Sequence, residues 1–352
     1  MRRFVRHLLF VYVVAVITVV GSERMFWYWT GSASAHLEGA IFYSASTAGF
    51  LAVLRRFEVH SWWGVVLSVP IYAYITEGVI TPVLYSGGPT PVFPLWFTGW
   101  HGLLSVLLLF VGVRALAVAG RRRWLAGLSV ALGVFWGSWL ITSLLPHQLN
   151  DPELIEAHGE LIPLPPASFL GYAVVFTGFL FGGHLLLNRV WPTEPHRLMA
   201  RSDRVLAVVL LLGAALWTVA VPWALPMFVG LCWLQFRFLR RHRTQRDSHA
   251  PTFLEALAGP VSWRSLVPLT LIAPVAAGTY WLWWTVDPPE ATLDALFWGV
   301  ITVQTVVAAV VLLQAVRTTH RTPTLDDRSP PVGERRPVAP APGGDLRPGA
   351  EA

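Results

Sequence analysis

Glu77 and His101 lie inside long apolar runs of this chain, and carboxylates and imidazoles are side-chain types that serve as general acids and bases. A carboxylate at mid-helix in a bilayer costs roughly 2.5–3.5 kcal/mol on insertion scales. Glu77 is therefore expected to turn into a bundle, protonated or paired, and His101 is the nearest suitable partner. Titratable pairs in apolar surroundings serve general acid–base catalysis, and the same donors ligate metals or haem. Glu77 and His101 are thus the catalytic candidates. With His147 they make a candidate metal set, and His36 with His101 is a weaker haem pair on two different helices.

Spacing extends the site. Tyr74, Glu77, Thr81 and Tyr85 are separated by three, four and four residues, which places them on one face of an α-helix. Thr98, His101 and Ser105 share a second face, flanked by Trp96 and Trp100. The expected pocket comprises Glu38, Tyr74, Thr81, Tyr85, Thr98, Trp100 and Ser105. Other polar residues have plainer readings. His184 is expected to snorkel to an interface. Glu23 and Arg24 are expected to form an outer interfacial ion pair, and His158 and Glu160 to sit with His147 in a hydrated loop.

Composition dictates what must position these groups. Hydrophobic residues make up 54% of the 352 residues and charged residues 13%, about half of the roughly 25% typical of soluble domains. The fold expected is all-α, a polytopic transmembrane helix bundle of about ten spans. A soluble enzyme, a nucleic-acid binder and a secreted disulfide scaffold are excluded as whole-chain readings. Spans of about 20 apolar residues fall near 6–22, 36–54, 61–83, 93–114, 124–145, 167–187, 204–220, 222–237, 265–285 and 294–316. Polar stripes concentrate in 36–145. The bundle is expected over 1–317, followed by a disordered cytoplasmic tail over 318–352 rich in Pro, Gly and Arg. A short interfacial helix is expected at 253–258, ended by Gly259-Pro260.

The net charge of +6 follows from topology. Every basic residue is arginine, and all but Arg24 fall on one side of the ten spans. The positive-inside rule then places both termini in the cytoplasm of a plasma-membrane protein. In that orientation Glu38, Glu77, His101 and His147 all belong to the outer half. At ~1.5 Å per residue Glu77 lies about 24 Å from the cytoplasmic start of its span.

Absent motifs narrow the chemistry. The chain has no P-loop, no H-E-x-x-H and no G-x-S-x-G. It has no lysine for a Schiff base, and its single cysteine, Cys232, reads as a packing thiol. Three readings follow: a membrane enzyme or metal/haem site acting on a hydrophobic or lipid-like small molecule; a proton-coupled transporter with five plus five helices; and a non-catalytic scaffold. Beyond the lipid bilayer and that small molecule the sequence points to no partner, and it identifies no cofactor.

Overall fold

Apolar chain in a bilayer has no water to bond its peptide groups, so it must close those bonds within each segment. The computed structural model does this with helices throughout, and no strand occurs among the described residues, which are 2–27, 32–144, 164–192, 200–246 and 250–322. Ten rods are described. They are α1 (Arg2–Val19, continued by a π-helical turn Val20–Arg24), α2 (Ala33–Arg56), α3 (Trp62–Ile80), α4 (Val92–Val118), α5 (Arg122–Leu140), α6 (Pro166–Val190), α7 (Ala200–Trp217), α8 (Ala224–Arg243), α9 (Trp263–Val286) and α10 (Glu290–Arg321). Each falls where the sequence places a span. Seven segments are long and apolar enough to cross a membrane, and Val205–Trp217 of α7 is a shorter apolar stretch. Rods α5 and α8 are not among those seven, so ten is an approximate count. His147, His158, Glu160 and the tail beyond Thr322 lie outside the described residues.

Local chemistry sets the ends. Ser32 caps α2 by accepting from the Ala35 N–H at 3.0 Å, and Ser61 caps α3 through the Gly64 N–H at 3.3 Å. The one-turn helix Phe253–Ala256 is held by a capping box between Thr252 and Glu255. Its Phe253 and Leu254 are buried against the bundle.

The core sits around α1 and α3. Every residue of α3 from Gly64 to Ile75 is buried. Rod α1 packs on α2, α4 and α6, and α3 packs on α2, α4, α8 and α10. A second tight group is α5, α6 and α9. Gly133 and Gly137 of α5 face the α9 backbone so closely that a Cβ at Gly137 would meet the Ala276 carbonyl oxygen, the use that small-x-x-x-small pairs serve in membranes. Rod α7 exposes most of its Val and Leu side chains, and α10 exposes Val303, Val306, Val307, Val310 and Leu313, as scaffold facing lipid does.

Candidate functional site

Three helices carry ionisable groups into one region at the arginine-poor end of the bundle, and each does so on a π-helical segment. The segments are Val20–Arg24, Thr76–Ile80 and Thr98–Gly112, bearing Glu23, Glu77 and His101. In a π-turn the N–H reaches back five residues, as in Met25 to the Val20 carbonyl at 2.9 Å and Thr81 to Thr76 at 3.0 Å. Such turns widen the helix and recur at functional sites. Local side chains hold the α3 turn. The Thr76 hydroxyl donates to the Tyr72 carbonyl at 3.0 Å and shares a hydrogen bond with the Ser46 hydroxyl at 2.9 Å, while the Tyr85 hydroxyl donates to the Gly78 carbonyl at 2.7 Å.

Glu77 and His101 meet at the centre. Glu77 Oε1 lies 2.6 Å from His101 Nε2, with side-chain exposures of 10% and 0%. The other carboxylate oxygen, Oε2, accepts from Thr81 Oγ1 at 2.9 Å. Neither imidazole nitrogen makes an aligned hydrogen bond among the described residues. The Glu77 contact is therefore a close approach in which the ring N–H points off line. The imidazole is clamped by Trp100, stacked at 4.6 Å and 13° between planes. Trp100 is itself fixed, its Nε1 donating to the Ser22 carbonyl at 3.0 Å and its face stacked on Phe26 at 4.2 Å.

Glu23 is a second acid in this cluster. The Tyr43 hydroxyl donates to its carboxylate, and Glu23 lies within electrostatic reach of both His101 and Glu77. Further hydroxyl pairs surround the acids: Ser22 donates to Ser105 Oγ at 2.9 Å, and Tyr72 to Thr18 Oγ1 at 2.8 Å. A span ending at residue 22 predicts a Glu23–Arg24 ion pair at the outer interface. Instead the helix continues as a π-turn through Arg24 and carries both residues inward. Arg24 is buried, its Nε donating to His36 Nδ1 at 3.3 Å and its guanidinium lying 5.5 Å from the Phe176 ring centroid. An acid one residue past an apolar run was the available signal for Glu23.

The structure sorts the other predicted residues. Thr81, Trp100 and Ser105 join the cluster. Thr98 is buried one turn from His101, its hydroxyl given to the Pro94 carbonyl at 2.7 Å. Tyr74 is buried with its hydroxyl near Thr98 and Gln235, and Tyr85 belongs to a 3₁₀ turn bonded to Gly78. The shared α-helical face therefore breaks: the π-turn inserts extra arc after Thr76, and the chain is extended at Thr81. Glu38 is exposed on α2 and stands apart from the cluster. His184 does not snorkel: it is buried, and its Nε2 lies 2.9 Å from the Leu109 carbonyl.

As a metal centre the site has two donors, Glu77 and His101. Among the described residues no group of three or more His, Cys, Asp or Glu is placed to hold a metal ion. His36 is poorly placed as a haem ligand, because Nδ1 accepts from Arg24 and Nε2 lies 3.0 Å from the Val16 carbonyl. What the arrangement can do is exchange protons: an imidazole against one carboxylate, a phenol on a second, and a shell of hydroxyls inside an apolar bundle. No protein family, curated protein or solved structure matches the chain.

Proposed function

We propose that this chain is a multi-pass plasma-membrane protein with both termini cytoplasmic, and that Glu77 and His101 are its acid–base pair, acting on a hydrophobic or lipid-like molecule from the outer leaflet. The observation that carries this reading is the 2.6 Å approach of Glu77 and His101 inside the bundle. Burying two such groups in hydrocarbon is costly unless they are paired, and ionisable residues inside membranes mark functional sites by default. Thr81 holds one oxygen of Glu77 and leaves the other to the imidazole. Half-buried Trp27, Trp96 and Phe93 continue the aromatic wall outward from Trp100, which suits an apolar substrate.

A proton-coupled transporter is the second reading, favoured by the two acids and the hydroxyl pairs running toward mid-bundle. A five-plus-five repeat requires the α1–α2 contact to recur between α6 and α7, and α3–α4 between α8 and α9. Among the described residues neither later pair packs comparably, so the enzyme reading takes precedence.

The test compares membrane lipids of host cells making wild type, Glu77→Gln or His101→Gln at matched abundance. At least one lipid species should change with wild type and with neither variant. Identical profiles, together with proton uptake into proteoliposomes that depends on Glu77, would move the assignment to transport. Identical profiles with no such uptake would leave Glu77 as a structural acid.

A further inference from the structure

A groove of about 390 Å³ runs between α7 and α8. Leu211 of α7 and Phe228, Cys232 and Phe236 of α8 form its apolar walls, and Arg237 and Arg240 close one end. From Phe228 to Arg240 the helix rises about 18 Å, slightly more than one leaflet of a core about 30 Å thick. The two arginines differ from their neighbours. Arg243 and Arg246 pair with Glu58, and Arg55 with Asp203. Arg237 and Arg240 are exposed and face no carboxylate among the described residues. Arg237 is steadied over the Trp233 ring, 5.7 Å from its centroid.

We infer that this groove binds an anionic phospholipid of the leaflet at the arginine-rich end of the bundle, its acyl chain along Phe228 to Phe236 and its phosphate between Arg237 and Arg240. An apolar trough one leaflet long that ends in two unpaired guanidiniums complements an acyl chain joined to a phosphodiester. Guanidinium forks match phosphate oxygens in two-point contacts, and basic pockets between helices hold anionic head groups. A zwitterionic lipid offers the same chain but places a trimethylammonium near the arginines.

Native mass spectrometry of the full chain, titrated with phosphatidylglycerol or phosphatidylcholine, tests this. Phosphatidylglycerol should be retained in preference to phosphatidylcholine. A juxtamembrane arginine contributes about fivefold, so Arg237→Gln with Arg240→Gln should weaken retention about 30-fold. The pair Arg122→Gln with Arg123→Gln, exposed on α5, should leave it unchanged. Val229→Trp keeps both arginines but fills the groove that Val229 lines, and it should also abolish retention. Equal retention of the two lipids, or no loss in either groove variant, overturns the site. Displacement of the lipid by inorganic phosphate at equal concentration also overturns it, because a bare anion would then suffice.

Discussion

Glu77→Leu removes the carboxylate that both His101 and Thr81 approach, and the structure determines what remains. His101 Nε2 loses its neighbour at 2.6 Å, and Thr81 Oγ1 loses its closer acceptor at 2.9 Å and keeps the Thr76 carbonyl at 3.3 Å. The imidazole is fully buried and clamped under Trp100, so it cannot swing to water. Removing one partner of a buried charged pair costs about 3–5 kcal/mol. His101→Leu alone strands a carboxylate and should cost a similar amount. The double variant strands neither group and replaces both with apolar side chains, so it should lie within about 1–2 kcal/mol of wild type. Glu77→Gln keeps an oxygen for the imidazole and an amide for Thr81. It weakens the Thr81 hydrogen bond and the close contact with the imidazole together, at about 1–2 kcal/mol. Equilibrium unfolding of the four proteins in mixed micelles measures the cycle, and a coupling energy of several kcal/mol is expected because the side chains touch. Additive single losses would refute the pairing, as would a Glu77→Leu protein more stable than wild type.

The stacked rings of His60 and His242, 4.1 Å apart and 9° from parallel, lie beyond the membrane-spanning segments and predict acid sensitivity. Burial lowers both, His242 from 6.5 to about 4, with His60 also opposing its charge. The unfolded chain then binds more protons between pH 6.5 and about 4. Stability is present in full above that window and should fall by about 3 kcal/mol for His242 as pH drops through it; unfolding midpoints of wild type and His242→Phe at pH 7.5 and pH 5 read the difference. Arg114 is fully buried, donating to the carbonyls of His184, Leu257 and Gly259 at 2.9, 3.1 and 2.9 Å with its guanidinium 5.1 Å from the Trp191 ring centroid. Arg114→Lys reaches one carbonyl at most and should lose about 3–5 kcal/mol, and a loss below about 1 kcal/mol in the same assay would show that the guanidinium is not the clasp. Reporter fusions after residues 30, 88, 155 and 290 should report outside and after 58, 118, 195 and 250 inside, with two or more reversals sinking the proposed orientation.

Apolar run lengths and arginine positions were enough to place all ten rods, because a helix in lipid is defined by its own composition and needs no partner to satisfy its backbone. The same cost of burial makes Glu77 turn inward, and that too is legible in one dimension. Which groups meet Glu77 is a different matter. A spacing argument assumes 3.6 residues per turn, and the three π-helical segments depart from it where the site is built. They bring Glu23 in and turn Tyr85 away. Glu38 stays outside for another reason: α2 directs that position away from the bundle. Packing also decided how two cations or bases are buried. His184 reads as an interfacial residue and Arg114 ends its span, yet the Leu109 carbonyl of α4 meets the His184 ring, and loop 257–259 and α6 close over Arg114 with carbonyl oxygens. Sequence determines which segments are helical and which side chains are costly to expose to lipid. Only the tertiary structure decides how those side chains are compensated, because the partners come from other helices and their alignment depends on local winding that composition does not encode.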